Sequence, residues 1–297
     1  MDPVALGLIA AAAVLHAAWN ILLKTAGDPL RTATVGVVAA SLALIPIVIV
    51  VWVVQHRPAV PPEAWIVGTV SGGVEVAYFV FLASAYRRSD LSIVYPLARG
   101  SAPLFAVIVA MTVLGETLTP GAWAGVALLF AGLLVVQRPW LLVRTASARG
   151  RAGMVFALMT GAMIATYSSL DTVGVGLTPP VLYAGILWPV CGAGLLVVAW
   201  LRPRVADGRF APSGPPVDMR RAVAGGFLTL IAYGFVLAAL TREPLAIVAP
   251  LRESAVLLAS TWAMLRLGEA GDRREIAFRI GGAALVLAGA AALALAG

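Results

Sequence analysis

The sequence predicts an all-α membrane protein with ten transmembrane helices, arranged as two inverted-topology five-helix repeats. Three observations predict it. First, hydrophobic residues make up 61% of the 297 positions and charged residues 12%, roughly half the charge of a soluble domain. A water-soluble fold of this size cannot hide that much apolar surface, and mean hydropathy is +0.97. A soluble enzyme, a disordered chain and a disulfide-stapled secreted module are excluded. Second, ten stretches are long and apolar enough to span a bilayer, which takes about 20 residues. Third, the chain repeats its own motifs in order.

The first five spans are Val4–Leu23, Thr32–Val54, Trp65–Tyr86, Leu91–Leu114 and Gly121–Val136. The start Met1-Asp2-Pro3 lacks a positive leader region, so the first span reads as a membrane helix and not a cleaved signal peptide. The second five are Ala152–Leu170, Pro179–Leu201, Ala222–Leu240, Leu245–Leu265 and Ile276–Ala296. Pro179-Pro180 marks the start of the seventh span inside a longer apolar stretch. Two links are longer than the rest: Gln137–Arg151 in the middle of the chain, and Arg202–Arg221, which is polar and rich in Pro and Gly, as a solvated loop should be. The predicted organisation is an N-terminal repeat over 1–138, a cytoplasmic connection over 139–150 and a C-terminal repeat over 151–297, forming one integrated transmembrane domain.

The repeat is carried by motifs. Leu91-Ser92-Ile93-Val94-Tyr95-Pro96-Leu97 corresponds to Leu245-Ala246-Ile247-Val248-Ala249-Pro250-Leu251 at a constant offset of 154 positions. Leu114-Gly115-Glu116 corresponds to Leu267-Gly268-Glu269, and Gly125 and Gly132 to Gly282 and Gly289. Tyr78 and Tyr233 stand mid-span in the preceding helices and read as equivalents. Shared Pro, Leu-Gly-Glu and Gly spacing in one order marks a duplicated five-helix unit. Five is odd, so the two copies face opposite sides of the bilayer, an architecture of secondary transporters.

Charge sets the orientation. Of the 21 Lys and Arg residues, 17 fall on the side of the odd-numbered loops; Arg57 and Arg242 fall on the other, and Arg99 and Arg252 lie within spans. Cytoplasmic loops carry the positive excess. The odd-numbered loops are therefore predicted to be cytoplasmic, and both termini to face the outer side of a bacterial-type inner membrane. The net charge of +7 then reflects loops facing anionic lipid and not nucleic-acid binding.

Four charges lie inside spans: Glu75, Arg99, Arg252 and Glu253. Charge at membrane depth is costly, so each should face a cavity or a partner. They either pair internally and hold the helices together, or an arginine fork holds a substrate carboxylate, or Glu75 carries protons. Pro96 and Pro250 occupy equivalent places in the repeat, and Pro103 lies further along the fourth span. A proline frees a carbonyl within its helix, and matched interruptions point to a transport site; simple kinks for packing are the alternative. These three are the predicted hinges. Arg99 and Glu253 each follow their proline by three residues and are predicted to lie near the central cavity.

Polar and aromatic residues gather on the same spans: Trp19 and Asn20, Tyr78, Tyr95, Tyr167 with Ser168, and Tyr233. Such a wall suits a small amphipathic solute. Interface anchoring or packing explains most single tyrosines; Tyr78 and Tyr233 are the ones expected at the site. His16 lies one turn before Asn20, and an interhelical hydrogen bond is its expected role over substrate contact. Gly68 with Gly72 and Gly121 with Gly125 show small-xxx-small packing spacing. The lone Cys191 and the separated His16 and His56 form no metal-ligand cluster. No nucleophile elbow, phosphate loop or paired-histidine motif occurs, so no enzymatic activity, metal or cofactor is expected.

His16-Ala17-Ala18-Trp19-Asn20, Tyr95-Pro96-Leu97, the Leu-Gly-Glu ends and the Gly-rich closing spans together resemble EamA-type members of the drug/metabolite transporter superfamily, over nearly the whole chain. Within it, amino-acid exporters of the YddG type are the nearest likeness. The resemblance implies a cavity lined by spans 1, 3, 4, 6, 8 and 9, and a small metabolite, such as a neutral or aromatic amino acid, moved outward by alternating access. Small multidrug relatives couple protons through a first-span carboxylate; this first span has none, so that mechanism does not transfer. A flippase for lipid or a lipid-linked metabolite, or an exporter of another solute, is the rival reading. The expected partners are the small-molecule substrate and membrane lipid, and the internal duplication makes a monomer sufficient.

Overall fold

The computed structural model describes residues 1–89, 91–137, 147–206, 216–252 and 273–296. They form ten helices: α1 (Pro3–Thr25), α2 (Pro29–Val54), α3 (Pro62–Tyr86), α4 (Leu91–Thr112), α5 (Pro120–Gln137), α6 (Ala148–Leu177), α7 (Pro180–Ala206), α8 (Met219–Leu240), α9 (Leu245–Arg252) and α10 (Arg273–Ala296). No strand occurs among the described residues. Six helices, namely α1, α2, α3, α6, α7 and α8, are long and apolar enough to cross a membrane. The chain is a multi-pass membrane protein.

Helix starts follow local chemistry. Proline stands in the first turn of α1, α2 and α3, where its missing N–H costs nothing. Asp2 and Asp28 cap α1 and α2 by accepting from the amides of Val4 (2.8 Å) and Arg31 (3.0 Å), which satisfies otherwise orphaned donors. Ser147 and Asp218 do the same for α6 and α8.

The Leu-Gly-Glu motif now has a physical account. Gly115 adopts φ 70°, a left-handed conformation that glycine tolerates without steric cost. The amide of Glu116 then donates back to the Ala110 carbonyl at 3.0 Å and closes α4. This turn aims the Glu116 carboxylate at the start of α9, where it accepts from the amides of Leu245 and Ala246 at 2.9 Å each. The matching Leu267-Gly268-Glu269 lies outside the described residues.

Helix packing has a two-fold pattern across the sequence repeat. Helix α3 packs on α6 as α8 packs on α1, and α2 packs on α8 as α7 packs on α3. The pairs α5–α10, α2–α7 and α4–α9 map onto themselves. Glycines mark these crossings. A methyl added at Gly132 would lie 2.7 Å from the Gly282 carbonyl, and one added at Gly125 would lie 3.0 Å from that of Gly289. Repeat-equivalent glycines thus face one another crosswise between antiparallel helices. At Gly72 an added methyl would lie 2.6 Å from the Leu187 carbonyl; at Gly36 it would lie 2.6 Å from that of Ala222 and 3.1 Å from the Gly226 Cα. Gly226 stands 154 positions after Gly72, so α2–α8 and α3–α7 use the same small-residue contact.

The structure corrects several expectations. The sixth helix runs from Ala148 to Leu177 instead of Ala152–Leu170, and so takes in Asp171. The sequence reading ended the span at that charge, whose partners come from other helices. Counted at the offset that aligns Gly72 with Gly226, Tyr233 corresponds to Phe79, and Tyr78 to Ala232; the two tyrosines are one position out of register. Helix α4 runs without a break past Pro96 and Pro103, and α9 holds Pro250 within a helical turn. The rest of the ninth span, with Glu253, lies outside the described residues, as do the side chains of Tyr95 and Pro96.

Candidate functional site

The centre of the bundle is polar. Asp171 of α6 is 1% exposed and collects three hydroxyl donors from three other helices. Ser71 of α3 donates to its Oδ1 at 2.7 Å and Tyr183 of α7 to the same oxygen at 3.0 Å. Tyr233 of α8 donates to Oδ2 in a short hydrogen bond. A carboxylate receiving three O–H donors has its acceptor capacity well used and its charge compensated by oriented dipoles. Four helices are pinned at one residue.

Glu75 of α3 is buried one helical turn after Ser71, the residue that donates to this carboxylate. The groups that act on it are Asp171, the Cys191 thiol and the Tyr233 hydroxyl. The guanidinium groups of Arg99 on α4 and Arg252 on α9 are buried too; both charges reach His16, and that of Arg252 reaches Asp171. Tyr167 of α6 lies within electrostatic reach of Arg252, Glu75, Arg99 and Asp171 together. Tyr78 likewise senses Arg99 and Glu75.

An aromatic row crosses this centre. Trp19 meets Phe79 edge-on at 6.2 Å between ring centroids, Phe79 meets Tyr78 at 4.8 Å, and Tyr78 meets Tyr167 at 5.8 Å. Tyr167 continues to Tyr233 at 6.1 Å, and Tyr233 to Trp188 at 5.9 Å. Edge-on contacts match the ring quadrupoles and fix ring orientation.

His16 is held from within its own helix. Trp19 Nε1 donates to His16 Nδ1 at 3.0 Å, and Asn20 Nδ2 donates to the His16 carbonyl at 2.7 Å. An Nδ1 that accepts places the imidazole proton on Nε2. That Nε2, together with Ser168 Oγ and Trp188 Nε1, is buried without a hydrogen-bond partner among the described residues. Among the described residues His16 makes no interhelical hydrogen bond; its Nδ1 is taken by Trp19 one turn on.

The structure therefore brings together His16, Trp19, Asn20, Glu75, Tyr78, Arg99, Tyr167, Ser168, Tyr233 and Arg252 in the buried interior. Sequence reading missed Asp171, Ser71, Tyr183, Trp188 and Cys191. Only Asp171 carried a usable signal, as a lone acid within the apolar stretch that leads on to Val173 and Val175. Among the described residues no His, Cys, Asp and Glu group could hold a metal.

Both ends of the bundle are tied. At one, Arg87 pairs with Asp28 at 3.4 Å, Arg149 donates to the Arg87 carbonyl at 3.0 Å, and Ser89 donates to that of Gly150 at 3.1 Å. At the other, Arg242 pairs with Asp2 at 2.8 Å and the Asp2 amide donates to Glu243 at 2.5 Å. A cleft of about 400 Å³ between α2, α3 and α7, lined by Trp52, Arg57, Trp65 and Ile186, lies apart from the polar centre.

A helical membrane bundle duplicated about a two-fold, with opposed charges at its centre, is the class that fold and site define. Residues 4–138 match the EamA-like transporter family, a span that covers the first five helices. No curated protein matches the chain. A solved structure described as "Crystal structure of protein" is similar over 99% of this chain and 98% of its own, with a TM-score of 0.71 and 20% identity; that likeness shows the fold.

Proposed function

We propose that the protein is a secondary transporter that exports small metabolites, with neutral and aromatic amino acids as substrates, by alternating access around the buried centre. The observation that carries this is the burial of two carboxyls, Glu75 and Asp171, and two guanidinium groups, Arg99 and Arg252, in the interior of one bundle. A zwitterion matches that polarity: its ammonium meets Glu75 and Asp171, and its carboxylate meets the planar fork of Arg99 or Arg252. The Nε2–H of His16 adds a donor on the basic side. The aromatic row offers the side chain an apolar, oriented wall.

The residues of the centre are buried and both ends are tied, so a substrate enters only when one bundle rocks against the other. Pro96, Pro103 and Pro250 are the proposed hinges, in a chain organised as an N-terminal (1–138) and a C-terminal (151–297) repeat. Both termini face the outer side of a bacterial-type inner membrane, following the positive charge of the odd-numbered loops. One chain carries both halves, so a monomer suffices.

The test is counterflow in proteoliposomes with a panel of labelled amino acids and no imposed ion gradient. The reading expects saturable exchange, reduced in Arg99→Ala by about 10-fold or more, as for loss of a charged hydrogen bond. Absence of exchange with every amino acid, together with headgroup-dependent lipid scrambling in the same vesicles, would replace it with a flippase.

A further inference from the structure

We propose that Glu75 and Asp171 form a single proton-binding site, and that a substrate ammonium displaces this proton in each transport cycle. The second clause rests on the amino-acid reading above; the first does not. Asp171 accepts from Ser71, Tyr183 and Tyr233, so it is the ionised member. The Tyr233 hydroxyl spends its only proton on Asp171, and Glu75 stands one helical turn after Ser71, which donates to the same carboxylate. Two carboxyls side by side away from water do not both ionise.

The surroundings of Glu75 agree. Helix α6 presents Asp171 and Tyr167 to this region, α7 presents Tyr183 and Cys191, and α8 presents Tyr233. Arg99 of α4 and Arg252 of α9 act on His16 of α1, Arg252 acts on Asp171 as well, and α2 sets the hydroxyl of Ser41 on the Trp188 carbonyl. The charged group acting on Glu75 is Asp171, so the pair holds one proton and one negative charge. An arriving ammonium supplies the positive charge that lets both carboxyls ionise. The proton leaves Glu75 for water on the side to which the site is open. After the substrate departs on the far side, a proton from that side reoccupies Glu75. One ammonium moves against one proton, and the charge at the pair is the same in both crossings.

The experiment uses the full chain in liposomes and has two readouts. Infrared difference spectroscopy follows the C=O stretch of protonated carboxyls through a titration from about pH 5 to pH 10, with no substrate present. The expected result is one carboxyl signal that fades with rising pH and is missing in Glu75→Gln. In Asp171→Asn, which removes the neighbouring charge, it fades at a pH lower by about one unit or more, a tenfold change in proton affinity. Tyr233→Phe, which removes the hydroxyl between the carboxyls, also moves the midpoint. A wild-type signal that is absent, that does not titrate, or that survives Glu75→Gln overturns the proton site. The second readout is lumenal pH in wild-type vesicles when L-phenylalanine is added outside. Alkalinisation of the lumen matched to uptake is expected, because a lumenal proton leaves on the pair for each ammonium that enters; acidification or no change alongside measured uptake overturns the exchange. Counterflow without a titrating carboxyl refutes the proton site alone, and a titrating carboxyl without counterflow refutes the amino-acid reading alone.

Discussion

Ser71 of α3 and Asp171 of α6 are 100 residues apart in sequence and joined by a 2.7 Å hydrogen bond at the centre of the bundle. The bond links the two repeats, and Tyr183 and Tyr233 join it from the C-terminal one. Asp171 thus fastens α3, α6, α7 and α8 at one point.

Removing that fastening should cost stability. Asp171→Ala leaves three buried hydroxyls without their acceptor, at about 1–3 kcal/mol for each buried group left unpaired. Asp171→Asn keeps one acceptor oxygen and should cost less. Thermal unfolding in detergent should rank wild type above Asp171→Asn above Asp171→Ala. Equal melting temperatures for all three would show that the hydroxyls find other partners.

The glycine crossings predict a contrast within one residue type. Gly36→Ala pushes a methyl against the Ala222 carbonyl and the Gly226 backbone of α8, and overpacking of this kind costs about 1–3 kcal/mol. Gly73→Ala meets nothing within 4 Å and should be neutral, or stabilising by up to about 1 kcal/mol through helix propensity. Denaturation of the two variants side by side checks this; a harmless Gly36→Ala would mean that α2 and α8 do not approach as described.

Glu116 caps α9 from the opposite repeat. Glu116→Ala removes a charged N-terminal cap, at about 1 kcal/mol, and should loosen the start of α9. Amide hydrogen exchange at Leu245 and Ala246 should quicken by about 5-fold or more. Glu116→Gln, which keeps an acceptor, should fall between.

Asp2 gives a pH test at the surface. The hydrogen bond from Arg242, then that from the Val4 amide, holds its carboxyl below the usual carboxylate range. The contribution to stability is therefore complete above that usual range and is lost as pH falls through the lowered value. Asp2→Asn should differ from wild type in melting temperature at neutral pH and converge with it in strong acid, with salt weakening the difference. A difference that persists in strong acid would assign the effect to something other than this charge.

Much of the fold was legible because bilayer spans are local. Apolar runs of about 20 residues, Pro179-Pro180 and the Leu-Gly-Glu ends are each read from neighbours in sequence. The repeat was legible because motif order survives divergence. The one-residue slip between Tyr78 and Tyr233 was not, since only the packing of Gly72 and Gly226 fixes the register. The site was legible in part. Charges at membrane depth pointed to Glu75, Arg99 and Arg252. Asp171 escaped because it seemed to close a span, and what keeps it inside is a set of hydroxyls up to 100 positions away. Ser71 and Tyr183 are ordinary helix residues until Asp171 is seen beside them.

The central claim is that the bundle holds a zwitterion between acids and arginines. The most direct measurement is inhibition of L-phenylalanine counterflow by its two half-charged analogues, N-acetylphenylalanine and phenylalaninamide. The account predicts that unlabelled L-phenylalanine competes fully and that each analogue, lacking one charge, competes at least about 10-fold more weakly. Competition by either analogue as strong as that by L-phenylalanine would contradict it, because the site would then read only one end of the molecule.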